Sequence, residues 1–253
     1  MLSFVIAVAG KGGIGKTTIT GLMIRALKRR GNVPILAVDA DSNVNLAETI
    51  GFPQGKTVGA VRENFSSDIS NMPPGMAKET LLELKLNEGL IEGEGVDVIA
   101  MGRGEGPGCY CPVNNMLRRF LDILAKNYPF VVIDNEAGME HLSRRILQRI
   151  DALLIVSDPT PKGIMTAGRI RDLIKELELS IENSYFTINR IQGKLEPVIE
   201  AEIEKHGFKS FYGIPMDKLI YDYDLSLKPL MDLPDESVAV VAVNKILDEI
   251  IKL

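Results

Sequence analysis

The chain is poor in the residues that staple or cage small folds. It holds two cysteines and two histidines in 253 residues. This excludes a disulfide-framed scaffold and a four-ligand soft-metal cage built from one chain's cysteines. No apolar run approaches the ~20 residues that span a bilayer. Net charge is −5, so no basic field exists to hold DNA or an anionic lipid surface. Internal repeats and low-complexity tracts are missing as well. The first apolar strand begins within a few residues of Met1. That leaves no room for a leader and predicts a cytoplasmic protein. With 45% hydrophobic and 25% charged residues, the composition predicts one α/β domain over residues 1–253 with a large core.

What is present begins with an apolar run from Phe4 to Ala9, the pattern of a strand buried on both faces. It runs into a glycine-rich turn. Gly10, Gly15, Lys16 and Thr17 fill G-x-x-x-x-G-K-[ST], the phosphate-binding loop. Glycines let backbone N–H groups face phosphate without a Cβ in the way, and the following helix aims its positive end at the same anion. Gly12, Gly13, Ile14, Gly15, Lys16, Thr17 and Thr18 are therefore candidate nucleotide contacts. Lys16 brings charge to the β- and γ-phosphates, and Thr17 offers a hydroxyl to magnesium. Lys11 is a second lysine in the same loop, one more than a single nucleotide needs.

The rest of the chain alternates strands and helices. A helix over Thr17–Arg30 stops at Gly31, and a second strand over Val33–Val38 delivers Asp39 and Asp41 at its carboxyl end. Open parallel sheets bind ligands at that end. In extended backbone the two acids face the same way, a pairing suited to magnesium hydration and to positioning a water. Residues 51–95 carry Pro73, Pro74 and Gly75 and are weakly patterned. Glu79–Leu86 reads as a short helix or strand, and the whole stretch as an insertion against the sheet edge. Strands follow at Val96–Ala100, Phe130–Ile133, Leu153–Val156, Ser184–Ile188 and Ser210–Ile214, with helices at Asn114–Ala125 and Val238–Ile251. Asp134 ends its strand where a magnesium-linked acid is expected. Gly138, four residues on, completes D-x-x-x-G, a spacing that brings a backbone N–H to a γ-phosphate. The pattern predicts a doubly wound, mostly parallel sheet of seven to eight strands with helices on both faces.

Between the third strand and the next helix lies a glycine-rich loop carrying Cys109-Tyr110-Cys111. Residues two apart in extended chain face one side, so both sulfurs can grip one ion. A soft tetrahedral ion wants four ligands, and His141 and His206 have no ligand spacing to the pair. Two chains about a twofold axis would supply four thiolates to one zinc or nickel ion. A redox dithiol and a solvent-side pair without a role are the alternatives.

The loop Lys-Gly-Gly-Ile-Gly-Lys-Thr-Thr resembles the deviant Walker A loop of the SIMIBI class of P-loop NTPases. The resemblance implies that Lys11 crosses a homodimer interface to the partner's nucleotide. It also implies that Asp41 orients the attacking water, that Asp134 and Gly138 act as switches, and that Asn189 with Arg190 borders the adenine. Taken with Asp-Asn-Glu-Ala-Gly and Cys-Tyr-Cys, the chain resembles CooC-type maturation ATPases of nickel carbon monoxide dehydrogenase, and the similar factor for acetyl-CoA synthase. That resemblance implies ATP hydrolysis coupled to nickel insertion into a client enzyme. The cofactors are ATP or ADP, Mg2+, and Ni2+ or Zn2+ shared by two subunits through Cys109 and Cys111, without nucleic acid or membrane. Rival readings are an iron–sulfur ATPase like the nitrogenase iron protein, an iron–sulfur scaffold ATPase, and a MinD- or ParA-like positioning module.

Overall fold

A computed structural model describes residues 3–102, 112–136, 149–176 and 180–252. Among them, seven strands form one sheet in the order β3-β2-β4-β1-β5-β6-β7, every pairing parallel. The strands are β1 (Phe4–Gly10), β2 (Ile35–Ala40), β3 (Val96–Ala100), β4 (Phe130–Asn135), β5 (Ile150–Ser157), β6 (Ile181–Ile191) and β7 (Tyr212–Pro215). The helices are α1 (Lys16–Arg29), α2 (Leu46–Thr49), α3 (Val58–Ser70), α4 (Lys78–Asn87), α5 (Pro112–Ala125), α6 (Pro161–Glu176), α7 (Pro197–Lys205), α8 (Lys218–Leu225) and α9 (Val238–Ile251).

The two faces of the sheet follow from the period of two along each strand. In β1, Val5, Ala7 and Ala9 join one core with Val58, Phe65, Leu82, Leu121 and Ile164. Ile6 and Val8 join the other with Leu22, Leu27, Val240 and Ile246. Helices α1 and α9 thus cover one face, while α3 to α7 cover the other. The order turns back around β1, so α1 leaves the sheet between the carboxyl ends of neighbouring strands, where α/β sheets form their crevices.

The expected doubly wound sheet is present with seven strands, but several boundaries move for identifiable reasons. β2 starts at Ile35 because Pro34 has no N–H to give a ladder, and Ile35 N–H donates to the Gly95 carbonyl at 3.0 Å. It then runs on to Ala40, which puts Asp39 inside the strand. β4 likewise continues through Asp134 to Asn135.

The weakly patterned stretch 51–95 contains two helices. Expectation allowed a short helix or strand at Glu79–Leu86, which is α4, and none at α3. Gly59, Val58, Val61 and three serines give α3 poor intrinsic propensity. It exists because Thr57 caps it, accepting from Ala60 N–H at 3.1 Å, and because Val58, Val61 and Phe65 bury one side against the sheet. An antiparallel bridge, Ile91 to Val98, lays the end of the insertion on edge strand β3, as the sequence pattern suggested. Phe65 is 4% exposed. Phe65→Ala is expected to destabilise the protein by about 3 kcal/mol, measured as a lower urea midpoint at constant slope.

Candidate functional site

Four strand ends meet at the start of α1. In register, Val8 of β1 and Asp39 of β2 both stand opposite Asp134 of β4, and Gly10 stands opposite Val156 of β5. The turn after β1 is forced by packing. A Cβ on Gly10 would sit 2.4 Å from the Val156 carbonyl oxygen and 2.5 Å from Ile14 Cδ1. Gly15 has φ +91°, and a Cβ there would meet Asn189 Nδ2 at 2.7 Å. α1 begins with no side-chain cap, so its first N–H groups face the turn. That is a ready anion cradle.

Lys16 is nearly buried, at 6% exposure, and its Nζ lies 3.4 Å from the Lys11 carbonyl oxygen. Lys11 itself is exposed. Thr17 Oγ1 donates to Asp134 Oδ2 at 2.5 Å. Thr20, one turn further along α1, places its hydroxyl 3.3 Å from Asp134 Oδ1 and 3.0 Å from the Lys16 carbonyl. Burial pushes the Asp134 carboxyl up to about 7, the nearby Asp39 and Asp41 charges add to this, and the Thr17 hydrogen bond and Lys16 charge oppose it. A carboxylate so placed wants a cation. With the Thr17 hydroxyl beside it, the donor set fits magnesium, which binds one or two protein oxygens and completes its shell with phosphate and water. Among the described residues no group of three His, Cys, Asp or Glu side chains forms a larger metal cluster.

The two acids at the end of β2 stand in different surroundings. Asp39 is fully buried and engages both oxygens on backbone: Oδ1 accepts from Asp41 N–H at 3.0 Å and Oδ2 from Leu46 N–H at 2.8 Å. Burial still raises its pKa, against the pull of those N–H groups. Asp39 thus meets the site with both oxygens already bonded to backbone N–H groups. Asp41 lies past the strand end, partly exposed, with Oδ1 accepting from the Asn43 N–H at 2.9 Å.

Asn189 and Arg190 close the opposite side of the loop. Asn189 Nδ2 donates to the Ile14 carbonyl at 2.7 Å, its Oδ1 accepts from Arg190 N–H at 2.9 Å, and Arg190 Nη1 donates to the Gly13 carbonyl at 3.0 Å. Both ends of the Asn189 amide thus make one bond to protein, and the group keeps a second N–H and a second lone pair by its chemistry. Gly138, Cys109 and Cys111 lie outside the described residues. Two contributors were missed in the sequence. Thr20 follows Lys16 by four and so shares its helix face, a spacing that was there to be read. Glu136, which accepts from the Ser42 hydroxyl at 2.9 Å, carries no such signal.

The Asp134 environment has a measurable consequence in metal-free protein. Its native pKa stands above the ordinary 3.8, so the folded state holds a proton that the unfolded chain releases between about pH 4 and 7. Stability should fall as pH rises through that window. Asp134→Asn should flatten the pH dependence of Tm, measured in EDTA from pH 5 to 8.

The geometry agrees with what the chain resembles. The AAA domain family matches residues 3–188. The chain is 43% identical to the ATP-binding protein MJ0685 of Methanocaldococcus jannaschii, covering 98% of each. It is 31% identical to the carbon monoxide dehydrogenase accessory protein CooC of Rhodospirillum rubrum, covering 87% of this chain and 86% of that one. Among solved structures, a ParA family ATPase from Chlorobium tepidum superposes with a TM-score of 0.70 at 20% identity, covering 96% of each chain, which establishes the shared P-loop α/β fold. The chain belongs to the AAA-domain family of ATP-binding proteins, and CooC is among its homologues.

Proposed function

We propose that this protein is an ATPase of the CooC kind, which hydrolyses ATP as a homodimer to drive nickel insertion into carbon monoxide dehydrogenase or acetyl-CoA synthase. The observation that carries the ATPase reading is the Thr17–Asp134 pair beside the uncapped start of α1, with Lys16 next to it. The homology to CooC supports the client class. No described helix is long and apolar enough to cross a membrane.

The chain's own residues do the following. The N–H groups from Gly12 to Thr18 and the α1 N-terminus bind the phosphates of ATP. Lys16 leaves the Lys11 carbonyl for the β- and γ-phosphates, a short move for an ammonium held by one 3.4 Å contact. Releasing that carbonyl frees the Lys11 segment to turn outward, where its side chain reaches the nucleotide of a second subunit. Thr17 and Asp134 would hold magnesium, which would neutralise phosphate charge. Asp41 orients the attacking water. Gly138 offers its N–H to the γ-phosphate and, with Asp41 and Asp134, senses its loss. Asn189 and Arg190 border the base. Cys109 and Cys111 of two subunits form one thiolate site for the cargo ion, nickel or zinc. Hydrolysis loosens the dimer seam and lowers affinity for that ion, so binding at the two sites is coupled reciprocally.

Two measurements test this. Lys16→Ala and Asp41→Ala are each expected to cut the steady-state release of phosphate about 100-fold while the far-ultraviolet circular dichroism is unchanged. Wild-type activity in either variant would refute the catalytic assignment. One nickel or zinc ion per dimer should bind in the presence of a non-hydrolysable ATP analogue, and Cys109→Ser/Cys111→Ser should abolish it, as read by metal analysis after gel filtration. A brown, anaerobically purified protein would instead favour the iron–sulfur reading.

A further inference from the structure

Glu136 lies two residues beyond Asp134, at the point where β4 has just left the sheet. Its Oε1 accepts from the Ser42 hydroxyl at 2.9 Å, across 94 residues of sequence. The register explains the meeting. Asp39 stands opposite Asp134 and Ala40 opposite Asn135, so the segments after β2 and β4 emerge side by side. Ser42 is the neighbour of Asp41.

The segment that carries Asp41 is held in an unfavourable shape. Val44, a β-branched residue, has φ +52°, in the left-handed region that such side chains avoid. Backbone of this kind persists only where surrounding contacts over-determine it. Asp39 fixes the two ends of the segment, at the N–H groups of Asp41 and Leu46. Val44 N–H donates to the Asp41 carbonyl at 3.2 Å, a turn inside the segment itself. The Ser42–Glu136 bond ties the middle to the neighbouring strand. Both partners are only partly buried, and a hydrogen bond at such a rim adds little to global stability. What it does fix is where Asp41 stands.

Building on the ATPase reading, we propose that Glu136 is a positioning residue for hydrolysis: through Ser42 it holds the strained Asp41 segment in place and ties it to the strand end that carries Asp134. Glutamate suits the task because its reach spans the two strand ends and its oxygen accepts from a hydroxyl. The amide of glutamine can accept the same bond, whereas alanine cannot.

The test compares kcat, KM for MgATP and Tm in the full chain for wild type, Ser42→Ala, Glu136→Ala, Glu136→Gln and the double alanine variant. Each alanine variant should lower kcat about 5- to 20-fold, with KM within about twofold and Tm nearly unchanged. The double variant should be no slower than the slower single, because each single already breaks the Ser42–Glu136 bond. Glu136→Gln should keep most of the wild-type rate. Unchanged kcat in both alanine variants of an active enzyme would overturn this inference and leave the ATPase reading standing. So would additive losses, a glutamine variant as slow as alanine, or rate losses matched by falls in Tm. A wild-type protein that hydrolyses no ATP would overturn both.

Discussion

A carboxylate that cannot settle by itself is the constraint around which this molecule is arranged. Asp134 is 1% exposed at the end of a central strand, with two threonine hydroxyls from α1 and the Lys16 ammonium nearby. Water cannot solvate it, and the Thr17 hydrogen bond only partly offsets the loss. The group therefore sits poised near neutrality, between holding a proton and holding a cation. A doubly wound sheet creates this situation cheaply, because parallel strands end together and a helix starts at the same level. Around Asp134 the same ends supply an anion cradle. The site is thus a place for opposite charges that arrive as a pair, as a metal-bound polyphosphate does.

The second feature is how closely the protein occupies its own site. Asn189 is hydrogen-bonded to Ile14, Arg190 to Gly13, and Lys16 lies near the Lys11 carbonyl. These contacts hold the phosphate loop and give ligand-facing groups provisional partners. Asp41 is treated differently. Its segment is pinned on either side by Asp39 and tied through Ser42 to Glu136, just past the end of β4.

Much of the fold was legible, with instructive exceptions. The buried strands read clearly because apolar residues occupy both faces, and the turn after β1 read clearly because glycine types at fixed spacing have few other uses. α3 was hidden: its residues disfavour helix by propensity and earn their conformation from the sheet beneath them. The limits of β2 and β4 were also displaced by about two residues, since a ladder continues for as long as a neighbour offers partners. That small shift matters, because it buried Asp39 in the strand and committed its oxygens to backbone, where the sequence placed both acids beyond the strand end.

By itself the sequence determined the chemistry available here: a phosphate loop with two lysines, acids at the ends of strands, two cysteines two positions apart, and apolar runs that demand a sheet covered on both faces. Those are properties of residue type and local spacing, which short-range sterics and burial dictate. Only the tertiary structure decided which acids meet which partners. Thr17 and Asp134 are 117 positions apart, and Ser42 and Glu136 are 94, so their contacts exist through strand order and register alone. Register is set by the packing of both faces of the sheet at once, and no single stretch of chain contains that information.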